Sequence, residues 1–118
     1  MMNDLSFEFV LERLEQQQEV WLLQADNGLF AMVETPDQSP LVPLWVMAEM
    51  AEQARTDDWA TYQLTSMSLS ELIGWLNELQ NDGIQTGIVI NDTVRVLPFE
   101  ATQLQDILLD LIHRKDKS

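Results

Sequence analysis

The chain has no cysteine and a single histidine, His113. The first absence excludes disulfides, thiolate nucleophiles and cysteine-built metal sites. The second leaves any serine–histidine–acid triad dependent on one imidazole, which follows an apolar helix and precedes Arg114, and no Gly-x-Ser-x-Gly elbow accompanies it. Glycine is sparse and scattered at turns and in one strand, so neither a phosphate-cradling nor a dinucleotide-binding loop can be built. Long apolar runs are missing as well; none approaches the ~20 residues of a membrane span. The opening MMNDLSFEF carries acids where a secretory leader needs bases. The expectation is a cytoplasmic protein of bacterial type, with no cofactor and no metal.

Positive charge is also scarce. Six bases face 20 acids, a net charge of −14 in 118 residues. The imbalance is uneven, since three of the bases and only one acid lie from His113 onward. Such a surface repels nucleic-acid phosphate and anionic lipid and attracts basic partners or cations. Acidity of this degree also keeps a small protein in solution with no further role.

What is present is a globular composition, 46% hydrophobic, in a chain long enough for one α+β domain over residues 1–118. Ser6 predicts a helix cap, with Phe7, Val10, Leu11 and Leu14 on one stripe and Glu8, Glu12 and Glu15 outside it. EVWLLQ and LFAMVE flank Asp26-Asn27-Gly28 and predict an antiparallel hairpin closed by a type I′ turn. After TPDQSP, LVPLW predicts a third strand, which Pro43 pushes to an edge or a bulge because it lacks an N–H. A short helix without a side-chain cap is expected from about Val46 to Arg55, then a strand through Trp59, Thr61, Tyr62, Leu64 and Met67. Ser68 and Glu71 form a capping box for a leucine-striped helix ended by Gly83. IQTGIVI and TVRVL predict two more strands around an Asn91-Asp92 turn. Pro98 and Phe99 then lead into a last helix from about Glu100 to His113, with 114–118 a frayed basic tail. The sum is a mixed, mostly antiparallel sheet of about five strands covered by about four helices.

The order WLL, DNG, LVPLW, short helix, Trp59, leucine helix and NDGI, from Glu19 to Ile90, resembles a family of small bacterial proteins known as a domain of unknown function with a Trp-rich hairpin. More distantly it is similar to the N-terminal domain of the enhanced serine sensitivity protein. Val46-Met47 departs from the small polar residue that often follows the aromatic in that family. The resemblance implies an α+β fold in a cytoplasmic bacterial protein and brings no activity or functional residues.

No catalytic residue stands out. Twenty acids offer many carboxylate pairs, so no one pair points to an enzyme, though a carboxylate-based one is a minor alternative. The leading expectation is a non-catalytic acidic module that binds a basic protein. A nucleic-acid-mimicking inhibitor of a basic protein is the alternative, and neither reading involves direct contact with nucleic acid or membrane. Trp45, Asp57, Asp58 and Trp59 form the candidate interaction patch, because the two tryptophans stand at strand ends beside polar loops. The last helix is apolar over a wide arc, so packing against the first helix is expected for its stripe. Ile112 widens the stripe and Leu109 lies outside it; the two form a candidate dimer surface, leaving monomer and homodimer both open.

Overall fold

Two of the helices begin at serine caps that local chemistry marks. The computed structural model describes residues 4–91 and 95–117. Helix α1 spans Phe7–Gln17, and the Ser6 hydroxyl accepts from the Phe9 N–H at 3.1 Å. Helix α3 spans Leu69–Asn81, where the Ser68 hydroxyl accepts from the Glu71 N–H and meets the Glu71 carboxylate, both at 3.1 Å. Gly83, at φ +74°, lets the chain leave α3 in a conformation that side-chain-bearing residues avoid. Helix α2 is shorter than expected, Ala48–Gln53, and Met47 caps it with no side-chain bond. Helix α4 runs Ala101–Lys117, past His113 and through the basic segment expected to fray.

Among the described residues six strands divide between two sheets: β1 (Glu19–Gln24), β2 (Val33–Glu34), β3 (Pro40–Leu44), β4 (Gln63–Ser68), β5 (Gln85–Val89) and β6 (Val96–Phe99). β1 pairs antiparallel with β4, and the larger sheet has the order β2-β3-β5-β6, in which β3 and β5 run parallel. This is the expected α+β architecture. Its pairing differs from the local reading in three places.

The chain does reverse at Asp26-Asn27-Gly28, but the two arms share only the Gln24–Phe30 bridge and a bond from Ala31 N–H to the Leu23 carbonyl. Within the turn only Gly28 has positive φ, +91°, so the reversal is not type I′; the Gly28 N–H closes it onto Ala25 and the Asn27 side chain accepts from Leu29. The second arm then leaves for the other sheet as β2.

β3 lies inside its sheet, and Pro43 is tolerated there because β2 reaches only as far as Leu41, leaving no strand to receive the missing N–H. Pro98 and Phe99 belong to β6 rather than to a lead-in for α4, with Pro98 opposite Gly87 on the sheet's outer edge. Asp92, Thr93 and Val94, the centre of the expected turn and the start of that strand, lie outside the described residues.

Two apolar clusters follow from strand alternation. Val42, Leu44, Ile88 and Ile90 face inward to Val10, Leu14, Leu72, Leu76, Leu104, Leu108 and Leu111, so α4 packs on both α3 and α1. Thr86 faces the same way, 2% exposed, and its hydroxyl has no partner among the described residues. An unmade buried bond costs more than it would return. Thr86→Val therefore raises the unfolding free energy by about 1 kcal/mol, and a higher urea midpoint with the same slope is the check.

The opposite face of the sheet meets the second cluster: Trp45 and Val89 with Leu23, Ala31, Ala51, Ala54, Trp59 and Leu64. Trp21 and Trp45 exchange both backbone bonds, at 2.8 and 2.9 Å, and thereby stitch β1 to the end of β3.

Candidate functional site

The second cluster covers only part of the outer face of the four-stranded sheet. Leu41 and Pro43 share that face with Trp45, and beyond the tryptophan the sheet opens into a groove of about 580 Å³. Its floor is apolar: Val33 from β2, Leu41 from β3, Val96 and Pro98 from β6. Its rim is polar, with Glu34, Thr35 and Asp37 on one side and Gln85 on the other. Thr35 shapes that rim. Its N–H donates to the Ser39 carbonyl, its carbonyl accepts from Gln38, and its hydroxyl accepts from the Ser39 N–H. Gln38 takes φ +66° to close the turn, which holds Asp37 at the surface.

Glu34 and Asp37 are exposed, and neither takes part in an ion pair among the described residues. The groove therefore joins an apolar floor to uncompensated negative charge. That combination suits a ligand with alternating apolar and cationic groups. Among the described residues no group of three or more histidines or acids is placed to hold a metal ion.

The four residues of the expected interaction patch lie together, but one of them is beneath the surface. Trp45 is 1% exposed, a core residue, and this corrects its reading as a strand-end rim residue. It is buried because α2 and the 3-10 turn Asp57–Trp59 fold back over the end of β3, and Trp59 meets it edge-on with ring centroids 6.1 Å apart. Trp59 sits in that turn rather than in a strand and keeps part of its surface in water; Asp57 and Asp58 are exposed beside it. Leu109 is 53% exposed, whereas Ile112 is partly buried against the main core. Glu8, Glu12 and Glu15 line a smaller recess of about 230 Å³ between α1 and α4, with Leu11, Leu111 and Arg114. His113 is exposed near the end of α4.

None of the groove residues stands out in the sequence. The one available signal is the polar break TPDQSP, whose Thr35, Pro36 and Asp37 line the groove, but the floor exists only once β6 has joined β5.

No curated protein matches the chain. A family profile does, over residues 7–108, and the likeness to the enhanced serine sensitivity protein is not part of that match. With the profile covering most of its length, the chain belongs to the family described as Protein of unknown function (DUF2750).

Proposed function

We propose that this protein is a non-catalytic binding module that takes a basic, partly apolar segment of another protein into the groove beside β2. The observation that supports this reading is the pairing of Val33, Leu41, Val96 and Pro98 as floor with the exposed carboxylates of Glu34 and Asp37 at the rim. The net charge of −14 adds a long-range component, drawing a cationic partner in and weakening as salt rises. Specificity then rests on the apolar pockets, since exposed ion pairs contribute only about 0.2–1 kcal/mol each.

The test is a nuclear magnetic resonance titration with a short peptide of alternating valine and lysine, and a valine–glutamate peptide as control. Amide shifts are expected at Val33, Glu34, Asp37 and Gln85, with the lysine peptide alone. The double variant Glu34→Lys, Asp37→Lys weakens binding about tenfold, a loss in line with two reversed surface charges. Equal binding of the glutamate peptide, or shifts scattered away from the groove, would sink the proposal.

A further inference from the structure

Sheet edges invite a further strand unless something blocks them, and the blocking devices are shortness, charge, proline and cover. β2 is two residues long and carries Glu34. β6 has Pro98. β1 is bridged on its outer side by Trp45 and Phe30. β4 has none of these: its sequence is QLTSMS, six residues without charge or proline, and among the described residues β1 is the one strand it pairs with.

Register says which groups are open. Trp21 directs its own N–H and carbonyl to Trp45, away from β4. In an antiparallel ladder successive residues alternate sides, so Val20, Leu22 and Gln24 bond to their partners Met67, Thr65 and Gln63. The backbone groups of Leu64 and Ser66 therefore point outward. Ser66 is exposed, and neither residue's N–H has a backbone partner among the loops and turns described.

We propose that β4 is the docking edge for a second copy of this chain, joined antiparallel about a two-fold axis through Thr65. In that register Leu64 of each copy exchanges both backbone bonds with Ser66 of the other. Thr65 faces Thr65 and Gln63 faces Met67, which places no charges opposite one another. Charge also selects the site. Copies carrying −14 each repel, so contact is favoured where the approaching strands are neutral, and β4 is such a stretch. Screening must then strengthen this association, the opposite of what salt does to a basic partner.

Sedimentation equilibrium at about 50 mM and about 500 mM sodium chloride tests it, alongside hydrogen exchange followed against protein concentration. The expected result is a monomer–dimer equilibrium tightened about tenfold at the higher salt. The Leu64 and Ser66 amides gain protection as concentration rises, while the amides of β6 do not. Ser66→Pro removes an outward N–H without touching the β1 ladder, and Ser66→Asp adds like charge at the edge. Each weakens the dimer about tenfold, and Ser66→Asp remains informative if the proline variant fails to fold. A monomer at both salts, or a dimer that ignores Ser66→Asp but is lost in Leu109→Glu, would overturn the proposal; the latter would place the contact on α4.

Discussion

Trp45→Ala is expected to lower the unfolding free energy by about 3–5 kcal/mol, the usual range for removing a buried large aromatic. The indole is 1% exposed and joins Leu23, Ala31, Ala51, Ala54 and Val89 in one cluster, with Trp59 against its edge. Truncation leaves a void lined by residues from β1, β5 and α2, elements that are fixed elsewhere and cannot collapse freely into it. The backbone bonds between Trp21 and Trp45 survive in the alanine variant, so the loss belongs to the side chain alone. Against a typical total of about 5–15 kcal/mol, that is a large share. Urea denaturation followed by far-ultraviolet circular dichroism is the measurement. A loss below about 1 kcal/mol would show that the indole is not packed as described.

Gly87→Ala ranks second, at about 1–3 kcal/mol of destabilisation from overpacking. A Cβ at this position would overlap the Val96 Cγ1 methyl and lie 2.8 Å from the Leu97 carbonyl oxygen. The methyl can rotate away; the carbonyl is held in the β5–β6 ladder, where Gly87 faces Pro98 and Ile88 faces Leu97. Combining Gly87→Ala with Val96→Ala separates the two contacts. Relief of the methyl overlap makes the cost of the double variant smaller than the sum of the singles, while the clash with the carbonyl persists. Full additivity would mean that Val96 does not lie over Gly87. Since Val96 also floors the groove, the single variant should reduce peptide binding there as well.

Those two positions show why some of the fold was legible in the sequence and some was not. Helix ends are local events. Ser6, the Ser68–Glu71 box and Gly83 satisfy or release backbone groups within a few residues of themselves, so their chemistry was visible without tertiary information. The stripes of α1 and α3 followed for the same reason, and Val10, Leu14, Leu72, Leu76 and Leu79 are all buried. Strand pairing is not local. Asp26-Asn27-Gly28 announces a reversal, yet which strand lies beside β1 is decided by β4, far along the chain. Trp45 was misplaced because a neighbouring polar loop suggested exposure, whereas its cover comes from α2 and the 3-10 turn that follows. The groove was hidden for a related cause, since its walls are drawn from four strands and only their register brings Val33, Leu41, Gln85 and Pro98 to one face.

The same pairing scheme governs the order in which the chain can mature. β1 cannot find its ladder until Gln63–Ser68 has been synthesised, and β3 must wait still longer for Gln85–Val89. During translation, then, α1 and its first strand leave the ribosome with their apolar sides bare, and closure of long loops precedes any reward. Folding slower than that of a helical bundle follows, and a nascent chain halted before Gln63 would be a natural client for a chaperone.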